Sequence, residues 1–222
     1  MTSQEMNTLL GLRLEDAGQV NFTEAVKLSA LNVAQRTACT FLHENYLTEL
    51  EYRDIVLVDS TSINAGLITL TGDGIFGTNF GKSSKKVIRN SIHMVQTKVG
   101  TTYRYCIKIP FSDVKKLENE YLGAEENNPV FWVFGNNLHI RPMTGMSQAV
   151  LYYLRMPVEI TTSVACELNA SLHDMIVDLA EAECWRIDNN VNRSEVARKS
   201  AMDSLTMLNT RYETEKPTGV NG

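Results

Sequence analysis

The glycines and lysines around residue 77 are the first candidates for chemistry. Gly72-Asp73-Gly74-Ile75-Phe76-Gly77 spells G-x-G-x-x-G behind the strand-like Leu67-Ile68-Thr69-Leu70, the upstream context of a dinucleotide fingerprint. The downstream context fails. The fingerprint must open a helix and place an acidic residue about 20 positions later for the ribose, yet residues 74–112 contain no Asp or Glu. Gly77-Thr78-Asn79-Phe80-Gly81-Lys82-Ser83 approaches a phosphate-binding loop, but three residues separate its glycines where four are needed, and Phe76 stands where the first glycine belongs. Lys85-Lys86-Val87-Ile88-Arg89-Asn90-Ser91 makes no convincing helix whose first N–H groups would hold phosphate. A flexible Gly-rich loop is the expectation here.

No other residues assemble into a reaction centre. His43, His93, His139 and His173 occupy separate contexts without metal-ligand spacing. Cys39, Cys106, Cys166 and Cys184 lack any C-x-x-C pair and read as buried thiols of a reducing compartment. No nucleophile sits in a G-x-S-x-G setting, and Glu181 and Glu183, two apart on an expected helix, face different directions. No catalytic residue, cofactor or metal is therefore assigned, and the chain is not expected to be an enzyme.

Charge is more informative. Residues 1–73 carry net −6, residues 74–112 net +7, residues 113–192 net −7 and residues 193–222 net +1. The positive block holds Lys82, Lys85, Lys86, Arg89, Lys98, Arg104 and Lys108. It reads as a solvated loop and strand face, as a surface complementary to an acidic neighbour, or as a nucleic-acid-binding module with Tyr103 and Tyr105 as stacking groups.

These residues need a scaffold, and the chain has the material for one: 222 residues, 43% apolar and net −5, enough to remove roughly 26,000 Å² from water on folding. The longest apolar run, Ala149 to Leu154, is far too short to cross a bilayer or to form a signal-peptide core, so no membrane association is expected. Apolar spacing predicts a helix from about Ser3 to Leu12 and another from Thr23 to about His43, capped by Asn21 or Thr23. Two more are expected toward the C-terminus, one capped by Asn169 or Ser171 and one by Asn192 or Ser194, antiparallel across the short Asp188–Val191 link. Capping also accounts for the three glycosylation-like triplets at Asn21, Asn169 and Asn192.

The middle is different. Antiparallel strands are expected at Ile55–Val58, Leu67–Leu70, Tyr103–Ile109, Val130–Phe134, Leu138–Arg141 and Ala149–Leu154, with a turn at Gly135-Asn136-Asn137. The fold class is α+β: an antiparallel helical bundle from residues 1–51 and 163–213, an inserted antiparallel β-rich domain at 52–162, and a flexible tail at 214–222.

Leu12-Arg13-Leu14-Glu15-Asp16, a polar turn and then Phe22 to Arg36 resemble the N-terminal helix pair of the head-to-tail adaptor (connector) proteins of tailed bacteriophages, the first ring beneath the portal. Asn137 to Pro142 and Val150 to Pro157 look like the closing β-hairpin of such adaptors. Leu172 to Glu183 and the Arg193–Tyr212 helix resemble their later helices, in the same order. The likeness covers about half the chain and excludes Gly66–Thr101.

What the resemblance implies is a structural virion protein of the neck, assembled in the host cytoplasm. It implies a homo-oligomeric ring of about twelve subunits with unlike complementary faces. Its partners would be the portal protein, tail proteins of the nozzle or stopper kind, and genomic DNA passing through the channel. On that reading Lys82, Lys85, Lys86 and Arg89, with Arg211, Tyr212 and Lys216, are the contact residues toward neighbours, partners or DNA.

Overall fold

The computed structural model describes residues 1–16, 18–57, 67–70, 85–118, 123–142 and 145–215. The fold is α+β, and the chain divides into two compact units, residues 1–50 with 157–222 and residues 51–156.

Four helices build the first unit: α1 (Ser3–Arg13), α2 (Glu24–Phe41), α3 (His173–Ile187) and α4 (Val191–Glu215). Helix α3 is apolar on most of its circumference, burying Met175, Ile176, Val177, Leu179, Ala180 and Cys184 among others. A helix of that kind must be covered on several sides, and α1, α2 and α4 all touch it. Thr2 and Glu5 form a reciprocal capping box on α1. Thr23 caps α2 through the Val26 N–H, and the Asn169 side chain accepts from Ser171 N–H to start the 3-10 turn Ala170–Leu172 before α3. The cap expected at Asn192 or Ser194 is instead Asn190, whose Oδ1 accepts from Arg193 N–H at 3.3 Å. Helix α4 begins at Val191, so Asn192 and Ser194 are already helical, and the Ser194 hydroxyl donates to Ala182 O of α3 at 2.8 Å.

Two buried polar clusters fix the unit's loops. Asp16 accepts from the N–H groups of Val20, Asn21 and Phe22 at 2.8, 3.1 and 2.8 Å, tying down the α1–α2 connection. The Lys27 ammonium, 2% exposed, donates to Asp16 O at 3.1 Å and lies 3.7 Å from its carboxylate. Burial by itself would raise the Asp16 carboxyl, but the three N–H donors, with Lys27, outweigh it and hold the group below its ordinary value.

Asn32, inside α2, spans to the extended segment 157–168: its Oδ1 accepts from Ile160 N–H at 2.7 Å while its Nδ2 donates to Ile160 O at 2.9 Å. One turn on, Gln35 Nε2 donates to Val158 O at 2.8 Å and Gln35 Oε1 accepts from Cys166 Sγ at 3.4 Å. These bonds place 157–162, expected within the β-rich part, in the helical unit. At the other end of α2, the Asn209 amide of α4 donates to Phe41 O and accepts from His43 N–H, at 2.8 and 2.9 Å. Residues 214 and 215, expected in the tail, are the last helical residues of α4. Lys216 and the rest of the expected tail lie outside the described residues.

Among the described residues the second unit holds eight strands: β1 (Glu51–Leu57), β2 (Leu67–Thr69), β3 (Val87–Val99), β4 (Thr102–Tyr105), β5 (Ile107–Lys108), β6 (Val130–Phe134), β7 (Asn137–Arg141) and β8 (Met146–Arg155). They form two four-stranded sheets, ordered β1-β8-β3-β4 and β2-β7-β6-β5. One core lies between them, with Val56, Val95, Leu151 and Tyr153 from the first sheet and Ile68, Phe131, Leu138 and Ile140 from the second. Gly100 and Gly135, at φ +58° and +60°, occupy the first central positions of the two-residue turns β3–β4 and β6–β7, where a positive φ suits the strand twist.

Three expectations change. The expected strand Tyr103–Ile109 leaves one sheet for the other at Cys106, and its β5 half runs parallel to β6 rather than antiparallel. The closing hairpin implied by the adaptor resemblance is absent: β7 pairs with β6 and β2, while β8 pairs with β1 and β3 in the other sheet. Strand β8 spans ten residues and finds longer partners there than β7 offers. The longest strand, β3, falls where no strand was expected. Arg89 and Asn90 adopt φ +47° and +56°, and the register with β8 shifts on both sides of Ile92, so the two-residue alternation is broken.

Replacing Asn32 with Ala leaves both buried backbone groups of Ile160 without their partner. Chemical denaturation followed by circular dichroism should show a loss of about 2–4 kcal/mol. Asp16 supplies the pH dependence. A carboxyl whose folded pKa lies below its unfolded value near 3.9 contributes stability that is complete above that value and lost as pH falls through the folded pKa. Asp16→Asn should therefore lower the melting temperature by several degrees at neutral pH and converge with the wild type in acid, as read by thermal scans across pH.

Candidate functional site

The residues first expected to make contacts do not come together in one unit. Lys82 and Lys216 lie outside the described residues. Arg211 is exposed on α4 of the helical unit, and Tyr212 follows it in the same helix. Lys85, Lys86 and Arg89 are exposed in the β unit at the start of β3. Their backbone is held firmly. Lys85 N–H donates to the Tyr153 hydroxyl at 3.2 Å, and Met156 N–H donates to Lys86 O at 2.7 Å. Tyr153 is 1% exposed and its hydroxyl reaches Asp54 Oδ2 at 3.3 Å, so the lysine side chains project from an anchored strand entry.

The remaining cations of the 74–112 block spread over both sheets. Lys98 is on β3, Arg104 on β4 and Lys108 on β5. Cross-strand register decides which share a face, because directly opposed residues point to the same side. Tyr105 opposes Gln96, which opposes Val150, which opposes Ile55; Tyr103 opposes Lys98, which opposes Gln148; and Met94 opposes Tyr152, which opposes Arg53. These positions form the face of the β1-β8-β3-β4 sheet that turns away from its core. Arg104, opposite Thr97 and hence in line with Ala149 and Val56, belongs to the core side.

That outward face is aromatic and cationic. Tyr105 is 67% and Tyr103 44% exposed. Lys98 Nζ lies 5.5 Å from the Tyr103 ring centre, and the Arg53 guanidinium 6.0 Å from that of Tyr152. Gln148 Nε2 donates to the Tyr103 hydroxyl at 2.8 Å, and Arg53 Nε to the Tyr152 hydroxyl at 3.2 Å. Between Arg53, Met94, His93, Tyr152 and Glu51 there is a hollow of about 350 Å³. Sequence reasoning found Tyr103, Tyr105 and Lys98 but missed Arg53, Met94 and Tyr152. Met94 lies on β3, which sequence spacing did not announce; for Arg53 and Tyr152 the outward positions in β1 and β8 were the available signal, but only register across 99 residues joins them.

Two other groups of polar side chains pair among themselves. In the helical unit a cleft of about 480 Å³ lies between the end of α1, α3 and α4. There Arg13 pairs with Asp178, Arg193 covers Trp185 at 4.6 Å, and Trp185 Nε1–H donates to Glu181 Oε1 at 3.2 Å. On the second sheet His139 stacks on Trp132, ring centres 5.1 Å apart, with burial and then Arg141 pushing its pKa down. Among the described residues no group of three or more His, Cys, Asp or Glu could hold a metal ion, and no helix is long and apolar enough to cross a membrane.

Burial pushes the thiols of Cys106 and Cys184 up to about 12 and raises that of Cys166, so all three stay protonated near neutrality. No protein-family model matches the chain, and no curated protein matches it.

A thiol reagent at about pH 8 should accordingly leave the native cysteines almost unmodified over minutes and titrate all four in denaturant. Cys39, Cys166 and Cys184 are buried as expected, whereas Cys106 is half-buried, so rapid native reaction of any of the first three would contradict their burial.

Proposed function

We propose that this chain is a structural subunit of the neck of a tailed bacteriophage, an adaptor that repeats around the DNA channel between the portal and the tail. One observation carries the reading: among the described residues, 1–50 and 157–215 fold into one helical unit, with the β unit as an excursion between them. That is the helix–strand–helix order of the adaptors the sequence resembles. The resemblance of residues 137–157 to a closing hairpin adds nothing, since β7 and β8 do not pair.

Charge supports assembly by a repeated head-to-tail contact. The helical unit carries 9 Lys and Arg against 17 Asp and Glu, net −8, while the β unit carries 12 against 9, net +3. A ring built from one heterologous contact needs two unlike, complementary faces on each subunit, and units of opposite charge supply them. Helix α4, 25 residues and so roughly 37 Å long, extends ten residues beyond the length of its neighbour α3. Arg211 and Tyr212 toward its end are assigned to portal contact, together with Lys216, which lies outside the described residues. Lys82, Lys85, Lys86 and Arg89 are assigned to the neighbouring subunit or tail proteins.

Mass measurement and electron microscopy of the purified chain, alone and mixed with the portal of the same virus, test this. A closed ring of about twelve copies, formed alone or on the portal, is the expected result. Truncation after Glu215 should keep the melting temperature while reducing portal capture. A chain that stays monomeric in both settings overturns the proposal.

A further inference from the structure

We propose that the outward face of the β1-β8-β3-β4 sheet is a platform for single-stranded nucleic acid. This goes beyond the ring reading and stands without it. Three tyrosines share the face. Tyr103 and Tyr105 are two residues apart on β4, hence about 7 Å, and Tyr152 lies two strands inward, roughly 12 Å from Tyr105. Four-stranded sheets with such aromatics stack two or three unpaired bases. Lys98 and Arg53 stand among the rings, where phosphates between stacked bases would pass. The hollow beside Tyr152, Met94 and Arg53 gives a base somewhere to sit at one end, and Tyr105 offers an open ring at the other. The strands of this sheet place one carboxylate on the face, Glu51 at its corner; Asp54 faces the core side, beside the Tyr153 hydroxyl.

Two other occupants fit less well. A second copy of the chain would favour an apolar interface centre depleted of charge, whereas Lys98 and Arg53 stand among the rings; of the paired aliphatic residues on this face, Val150 is fully buried and Ile55, 46% exposed, lies on the edge strand β1. Duplex DNA is read by elements that enter a groove, such as a helix or a two-stranded ribbon. A broad four-stranded face presents rings to bases only when those bases are unpaired.

Fluorescence anisotropy with a labelled oligo(dT) of about 12 nucleotides, at roughly 50 mM salt, tests the proposal on the full chain. Binding is expected, with Tyr105→Ala weakening it about 5- to 100-fold and Tyr105→Phe leaving it within about twofold. Lys98→Gln should weaken binding and reduce the slope of log affinity against log salt by about 0.7, the single-strand value for one phosphate contact. Tyr105 and Lys98 carry little of the core, so unchanged melting temperatures check that the variants fold. Four results overturn the platform: no binding at low salt; a duplex of the same length bound as tightly; a Tyr103→Ala, Tyr105→Ala double variant with wild-type affinity; or polyglutamate displacing the oligonucleotide as well as unlabelled oligo(dT) does.

Discussion

Asn32 carries the architecture of the helical unit. A chain that leaves a bundle for about a hundred residues must return to it at a defined place, and the returning segment has no regular partner for its backbone groups. Asn32 supplies one, offering a donor and an acceptor to the two backbone groups of Ile160 just as a neighbouring strand would. One turn later Gln35 donates to Val158 O, while Glu167 accepts from the Val158 N–H. An apolar residue at position 32 would leave the buried amide groups of Ile160 unpaired, at a cost that packing alone would not offset. The large apolar surface of α3 is thereby delivered to α2 in one register, and α1 and α4 cover what remains.

The β unit depends on a comparable constraint, the corners where its chain changes sheets. Strands β4 and β5 are one extended stretch, divided at Cys106, whose N–H still bonds to Val95 O of the first sheet while Ile107 N–H bonds to Pro129 O beside the second. Near the other side, Leu70 N–H bonds to Asn136 O and Leu70 O accepts from Val87 N–H, linking the end of β2 to the start of β3. Closing two sheets at their corners reduces the number of exposed edges. It also fixes which residues of β3 and β4 face outward, and that is the origin of the tyrosine and lysine face.

Much of this was legible in the sequence because it is periodic. Helices α1, α2 and α3 and strand β6 fall within a residue or two of where apolar spacing puts them. Strand β3 was not legible, because a bulge inserts residues that break the alternation, and Arg89 and Asn90 take left-handed backbone conformations there without a glycine to announce them. The burial of Lys27, Asn32 and Gln35 was not legible either, because their partners lie more than ten residues away in the chain. The candidate face shows the same division. Tyr103, Tyr105 and Lys98 announce themselves by spacing, while Arg53 and Tyr152 join them through pairings that no local pattern encodes.

The uneven charge, the first functional signal in the sequence, changes meaning once the register is known. As a linear block, residues 74–112 look like one basic surface of net +7. Folded, Arg104 lies on the core side of its sheet, Lys108 belongs to the other sheet, and Lys98 stands in an aromatic face alongside Arg53, which comes from outside the block. The positive potential is thus divided among surfaces with different chemistry: lysines at an anchored strand entry suit long-range attraction to an acidic neighbour, whereas a cation held against a tyrosine ring suits a ligand that is itself both aromatic and anionic. Proximity in sequence set the net charge of the unit, but strand pairing decides which of its cations can act on the same molecule.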